Sequence, residues 1–314
     1  MENRLEKDIA RYCNKAIAVV ENVFGKKPEK IDYKTTGYTN YVFEAKIPDG
    51  EFIVRISASS DNIKDFYKEQ WVIDRVRKQG VPVAEIINVG NDVIETPYMI
   101  QKKLDGEVAL YHPEKKKILQ KMGEYTCLIN SIATTGYGTV FDWSDERLSK
   151  NFTWAAFLDK EIELNKRIQI LEENKMMSPD ALEKLRENLE RIGEMNLPTV
   201  LNHGDMRRKN VIVDEKGNIK AIIDWGEACS NIAPYWDLSI ALHDLSIDDK
   251  QFFLEGYGMK PKEYAEIYET IKSLNLINYA PVIDELAKRK DTGNLEYYRL
   301  RLSGYLDLYA FAIT

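Results

Sequence analysis

Leu201-Asn202-His203-Gly204-Asp205-Met206-Arg207-Arg208-Lys209-Asn210-Val211-Ile212-Val213, answered further on by Ala221-Ile222-Ile223-Asp224-Trp225-Gly226-Glu227, is the stretch on which the fold turns. Five residues separate Val213 from Ile219, Gly217 among them, a spacing that predicts an antiparallel hairpin. Centring its loop on Lys216 sets Asn210 opposite a residue near Ile222, within two positions of Asp224. Asn210 and Asp224 are therefore expected side by side at the open end, with Asp205 in the loop just before. Three oxygen-bearing side chains gathered there suit Mg²⁺, which takes hard oxygen ligands and completes its shell with phosphates and water. Mg²⁺ usually takes one or two such ligands from protein, so the third side chain of the set, a carboxylate kept off the metal, can accept a proton from an attacking hydroxyl. Phosphoryl transfer needs those parts and little covalent chemistry from the protein.

Upstream, Leu5, Ile9, Tyr12, Cys13, Ala16, Ile17, Val20 and Phe24 recur near a 3.6 period, so residues 2–24 read as an amphipathic helix stopped by Gly25. Strand-like runs follow at 41–47 and 52–56, joined by the turn signal Pro48-Asp49-Gly50. A helical pattern at about 62–79 leads to two more strand-like runs near 83–89 and 97–103. After Leu104-Asp105-Gly106 the pattern is helical, from Ile118, through a charge-rich stretch at 152–192, and from about 248 to the end. The hairpin is its one expected β interruption. The chain thus divides near residue 104, into a strand-rich part, 1–103, and a helical part, 104–314.

The 314 residues are 44% hydrophobic and 30% charged, with 17 Gly and 10 Pro, which excludes collagen-like, low-complexity and disordered classes. No run approaches the roughly 18 apolar residues of a membrane helix, and the charged start is unlike a secretory signal. Cys13, Cys127 and Cys229 form no CxxC pair and predict no disulfide framework. A cytoplasmic protein with reduced thiols is expected, with no membrane partner. The net charge of −7 speaks against a nucleic-acid partner and is compatible with a cationic ligand. Walker A, Rossmann, HExxH and GxSxG motifs are absent.

His203-Gly204-Asp205 with Asn210 five residues on, then Ile222-Ile223-Asp224-Trp225-Gly226, resembles the signature of the aminoglycoside phosphotransferase and choline kinase-like superfamily. Phe66-Tyr67-Lys68-Glu69 and the run from Asn202 to Glu227 look most like its hygromycin B phosphotransferase branch. The resemblance implies an α+β, protein-kinase-like two-lobed fold, with a small strand-rich N-lobe over a larger helical C-lobe. By position, Asp205 resembles the catalytic base, Asn210 and Asp224 the Mg²⁺ ligands, and His203 a structural member of the loop. Arg207 is a candidate for neutralising charge on the transferring phosphoryl group. Asp237 matches a supporting position, and its local sequence fits capping of the helix that follows. Cys229 reads as a small packing residue, and His112 and His243 as non-catalytic.

The implied nucleotide is ATP, with GTP as the alternative donor. Thr36, Thr39 and Asn40 are the candidates for a phosphate loop that holds a single glycine, Gly37. Arg55 stands where the kinase pattern expects a third-strand lysine, and its fork can grip phosphate with a geometry unlike an ammonium's. Glu69 is its natural partner on the next helix; the competing reading of this pair is a surface salt bridge. Lys102 and Leu104 fall at the interlobe hinge that would read adenine.

The acceptor is expected to be a small hydroxylated, cationic molecule, either an aminoglycoside-like antibiotic or a metabolite amino-alcohol. Glu227, Asp237, Asp284 and Glu285 are acidic candidates to meet it. Trp154, Tyr279 and Tyr298 are aromatic candidates to line such a pocket, with core packing the favoured use of each. Two other readings stay open: a metal-dependent hydrolase using His203, Asp205 and Asp224, and a nucleotide-binding scaffold without transfer. Oligomeric state leaves no trace in the sequence.

Overall fold

Tyr12, Ala16, Val19 and Val20 line one side of the N-terminal helix, α1 (Glu2–Phe24), and bury it on a five-stranded antiparallel sheet. The computed structural model describes residues 2–35, 40–59, 63–141, 151–243 and 245–302. The chain forms two compact units, Met1–Leu110 with Asn210–Gly226, and Tyr111–Lys209 with Glu227–Thr314.

In the first unit the sheet runs in the order β1 (Lys30–Lys34), β2 (Asn40–Ile47), β3 (Gly50–Ser57), β5 (Tyr98–Lys102), β4 (Ile86–Gly90). Phe52, Val54 and Ile56 of β3 point into the cluster beneath α1. Alternation then sends Arg55 to the opposite face. There α2 (Ile63–Lys78), which connects β3 to β4, supplies its partner Glu69. A second, three-stranded sheet belongs to this unit, in the order β6 (Glu107–Val108), β8 (Val211–Val213), β9 (Ile219–Ile222). The β8–β9 loop closes on Asp214, whose Oδ1 accepts the N–H groups of Lys216 and Asn218.

The second unit holds α3 (Lys115–Ile129), α4 (Trp154–Lys160), α5 (Leu164–Glu173), α6 (Pro179–Ile192), α7 (Tyr235–Ala241), α8 (Ile247–Tyr257), α9 (Pro261–Arg289) and α10 (Thr292–Leu302). The charge-rich stretch at 152–192 breaks into three helices, because Glu163 and Lys175 take left-handed φ values of 54° and 52°. Ser178 then caps α6 ahead of Pro179. Pro281 lies inside α9, where it has no N–H for the carbonyl of Ile277, and Arg167 Nη1 donates to that carbonyl instead at 3.0 Å. The expectation of one β interruption is corrected here: β7 (Thr199–Asn202) and β10 (Cys229–Ile232) form a further antiparallel pair. Neither is longer than four residues or alternates polar with apolar, so periodicity gave no signal. Among the described residues no helix is long and apolar enough to cross a membrane.

Candidate active site

β7 ends at Asn202 and leads directly into His203-Gly204-Asp205. The backbone there is held by one fully buried carboxylate. Asp237 accepts the His203 N–H on Oδ2 and the Gly204 N–H on Oδ1, each at 2.9 Å, and a third bond from Asn130 Nδ2 at 3.1 Å. Asn202 Oδ1 in turn accepts the Asp237 N–H at 3.2 Å. Burial pushes the Asp237 carboxyl above its ordinary range, while His203 and the bonded N–H groups pull it back. The helix-cap reading of Asp237 is therefore wrong. The residue at the N-cap of α7 is Pro234, without a side-chain cap bond, and Asp237 serves a loop more than thirty positions away. A bond from side chain to distant backbone leaves no local pattern in the sequence.

Gly204 has φ of 78°, and a Cβ there would lie 2.0 Å from the Glu227 carbonyl oxygen, so no other residue fits without displacing backbone. His203 is buried, and its Nδ1 accepts the Asp205 N–H at 3.2 Å, the structural part its position implied. Asp205 is itself mostly buried. Arg207 Nε donates to its Oδ1, and Lys209 Nζ sits 2.8 Å from its Oδ2. Both carboxylate oxygens are thus gripped by cations from the two following turns of chain. The sequence offered Arg207 to a phosphoryl group; here its Nε lies on Asp205.

In the first unit the β8–β9 register differs by one from the centred expectation. Val213 faces Ile219 but Ile212 faces Ala221, so Lys220 is the extra residue of a bulge. Ile223 N–H consequently donates to the Asn210 carbonyl at 2.9 Å, one position from Asp224. Asn210 is buried and Asp224 exposed, with φ of 64°. A non-glycine residue in that region costs on the order of 1–3 kcal/mol and persists only where its surroundings impose it; Asp tolerates it better than most. An amide oxygen and a carboxylate on adjoining strand ends are hard donors of the kind Mg²⁺ takes.

Arg55 and Glu69 form a bidentate pair, Nη1 to Oε2 at 2.6 Å and Nη2 to Oε1 at 3.0 Å, on side chains exposed by 14% and 4%. The surface-salt-bridge reading is excluded by that burial. Burial opposes the guanidinium's charge, but Glu69 outweighs it and Asp224 adds to it, so Arg55 is held protonated above its ordinary range.

Residues 35–269 match the sequence profile of the phosphotransferase enzyme family, a span that contains each of these side chains. The chain belongs to that family. The hygromycin-B 4-O-kinase of Escherichia coli is 23% identical over 191 residues, 59% of this chain and 53% of that protein. The chain thus spans about half the length of the curated relative it matches. The apo structure of a thermostable variant of aminoglycoside phosphotransferase APH(4)-Ia superposes with a TM-score of 0.68 at 17% identity, over 95% of this chain and 100% of the other. A ternary complex of such a variant with AMP-PNP and hygromycin B gives 0.66 at 16%, over 95% and 99%. An aminoglycoside phosphotransferase of the APH(2") type, bound to GDP and kanamycin, gives 0.62 at 12%, over 90% and 95%. These likenesses establish the α+β, protein-kinase-like fold.

The remaining expectations divide among this phosphotransferase family member's elements. Thr36 and Thr39 lie outside the described residues, whereas Asn40 opens β2 and pairs with Ser57. Lys102 ends β5 and gives its N–H to Glu85 O; Lys103, next in the chain, gives its own to Glu51 O just ahead of Leu104. Trp154 packs against Tyr137 and Phe157, and its Nε1 bonds the Leu189 carbonyl, a core role. Asp284 and Glu285 pair with Lys288 and Arg289 one turn on, as a solvated helix face does. Cys229 is buried in β10. Among the described residues no three His, Cys, Asp or Glu side chains are grouped to hold a metal ion.

Sequence reading missed a cavity of about 380 Å³ in the second unit, walled by α7, α8, α9 and α10. Its described wall includes His243, Lys250, Lys272 and Arg301 and no carboxylate. Tyr279 stacks on His243 at 3.4 Å, and Tyr298 lies beyond.

Proposed function

We propose that the protein is a kinase that transfers the γ-phosphoryl group of ATP, with GTP as the alternative donor, to a hydroxyl of a small molecule of the aminoglycoside or amino-alcohol class. The family match across residues 35–269, which spans Arg55, Glu69, Asp205, Asn210 and Asp224, carries this reading. Asp205 takes the proton of the acceptor hydroxyl as its oxygen bonds to the γ-phosphorus, and the nucleoside diphosphate leaves. Asp237 and Gly204 fix the backbone from which that carboxylate projects. Arg207, exposed by 38% at its side chain, turns toward charge on the transferred group when the acceptor displaces it from Asp205.

Asn210 and Asp224 hold Mg²⁺, which when bound neutralises charge on the nucleotide phosphates. Arg55, fixed by Glu69, reaches the same phosphates, and Thr36, Thr39 and Asn40 cover them. Lys102 and Leu104 border the base, with the adenine edge meeting backbone groups beyond those that Lys102 and Lys103 commit to the sheet. Residues 1–103 form the nucleotide lobe and 104–314 the acceptor lobe, except that 104–110 and the hairpin at 210–226 fold with the former. The cationic wall of the second unit's cavity gives no support to choosing the acceptor by net charge alone.

The test is ADP release by purified protein with ATP or GTP against hygromycin B, kanamycin, choline, related amino-alcohols and uncharged polyols. Acceptor-dependent release is expected with at least one, and Asp205→Asn should slow it by roughly 10²–10⁴-fold, the usual worth of a general base. Nucleotide binding with no release across the panel would instead favour the scaffold reading.

A further inference from the structure

Lys68 is a lysine almost removed from water. It lies on α2, exposed by 4%, and its Nζ donates to the carbonyl oxygen of Gly226 at 2.6 Å, across 158 positions of sequence. Burying an ammonium is costly unless it meets strong acceptors, so a lysine placed there implies a task for it. Its acceptor closes the triplet Asp224-Trp225-Gly226. Asp224 is the one non-glycine residue at positive φ among the described residues of the first unit.

Two sets of bonds bracket that strained residue. On the N-terminal side, Ile222 N–H bonds Pro82 O and Ile223 N–H bonds Asn210 O, each at 2.9 Å. Trp225, buried, turns its Nε1 back to Ile222 O at 3.0 Å. On the C-terminal side Lys68 takes hold of Gly226. A Cβ on Gly226 would lie 3.9 Å from Asp224 Oδ1 and 4.0 Å from Glu69 Oε1, so both carboxylates face the same side of this glycine. Consecutive residues of α2 therefore serve two tethers, Glu69 to Arg55 on β3 and Lys68 to the turn that carries Asp224.

We propose that Lys68 is a positioning residue for divalent-metal binding, fixing the left-handed backbone at Asp224 and hence the aim of its carboxylate. The inference rests on the phosphotransferase reading of Asp224. Unfastening Gly226 lets the turn relax toward ordinary φ values and swings the carboxylate away from Asn210. The nucleotide's own contacts with Arg55 are left in place, because Glu69 holds Arg55 independently of Lys68.

The experiment measures ATP-analogue binding to the full chain by calorimetry, in EDTA and across a Mg²⁺ titration, beside the thermal unfolding midpoint. Lys68→Met keeps the apolar stem and removes the donor. The Mg²⁺ concentration for half-maximal enhancement of binding should rise about tenfold, with affinity in EDTA within twofold of wild type. Lys68→Arg, which still donates, should restore most of the metal response, and Lys68→Leu, which likewise lacks a donor, supplies the same comparison should Lys68→Met fail to fold. A metal response within twofold of wild type in Lys68→Met, or an equal loss of affinity with and without metal, overturns the assignment of Lys68. Wild-type binding that ignores both Mg²⁺ and Asp224→Asn overturns the metal reading of Asp224 itself, and with it this inference.

Discussion

Arg55 and Glu69 face each other fork to fork, 2.6 and 3.0 Å apart, from a central strand and the helix that follows it in the chain. Arginine at a position where lysine is the kinase habit keeps both bonds at once, which an ammonium cannot do in the plane of a carboxylate. The pair ties α2 to the sheet on the face opposite α1.

Removing one partner should reveal how far the pair is desolvated. Glu69→Gln leaves a buried guanidinium without its counter-charge, and loss of one member of a buried pair typically costs about 3–5 kcal/mol. Urea unfolding should show a fall of at least about 3 kcal/mol, and the double replacement Arg55→Met with Glu69→Leu should recover much of it. A loss under about 1 kcal/mol in Glu69→Gln would mean that water reaches the pair.

Lys209 and Arg207 touch the same carboxylate but should differ in consequence. Lys209 is about half exposed, and Arg207 still holds the other oxygen of Asp205 when Lys209 is removed, so Lys209→Met should move the unfolding midpoint by only a few degrees. Arg207→Met should leave stability similarly unaffected yet slow phosphoryl transfer at least tenfold. Equal turnover in the two variants would deny Arg207 any part beyond pairing with Asp205.

The loop before Asp205 tolerates no side chain at Gly204. In Gly204→Ala the new methyl carbon would overlap the Glu227 carbonyl oxygen at 2.0 Å while demanding φ of 78°. Loss of soluble protein, or a drop in the unfolding midpoint of more than about 5 °C, is expected. Asp237→Asn is the gentler probe of the same loop. One oxygen still accepts, but the amide presents N–H to N–H at the other, so transfer should fall at least tenfold in folded protein.

His243 should make the fold sensitive to acid. Burial, with Arg301, Lys250 and Arg207 nearby, holds its pKa down to about 3, although the bond between its Nδ1 and Asn275 Oδ1 favours the proton. The unfolded chain takes up a proton near pH 6.5 and the folded one does not, so stability falls as pH drops from about 6.5 toward 3. The slope is about 1.4 kcal/mol per pH unit once the unfolded imidazole is charged. Urea unfolding at pH 7 and pH 5 should show this loss in wild type. In His243→Phe, which keeps the stack on Tyr279, the loss should be smaller by about 2 kcal/mol.

What the letters disclosed follows from the range of each interaction. Helix α1, the strands β2, β3 and β5, and the β8–β9 hairpin are written in local periodicity and turn residues, and they stand where the pattern put them. The bulge at Lys220 was not visible, because a register slip of one residue is chosen by how both strand ends are anchored and not by their composition. The same holds for Asp237 on His203 and Gly204, and for Lys68 on Gly226. Each is a bond between a side chain and a distant carbonyl or N–H, and backbone groups carry no letter. Arg55 and Glu69 were legible as a pair because both ends are side chains; their burial needed the packing of α2 to become apparent.

The hairpin that holds Asn210 and Asp224 folds with strands encoded more than a hundred codons earlier, β6 pairing Glu107 with Val213 and Val108 with Ile212. Neither unit is therefore a contiguous block of the gene. A chimera made by a single crossover near the middle would combine one parent's sheet with the other parent's hairpin. Exchange of the helical unit between family members without that mismatch requires three crossovers, after residues 110, 209 and 226.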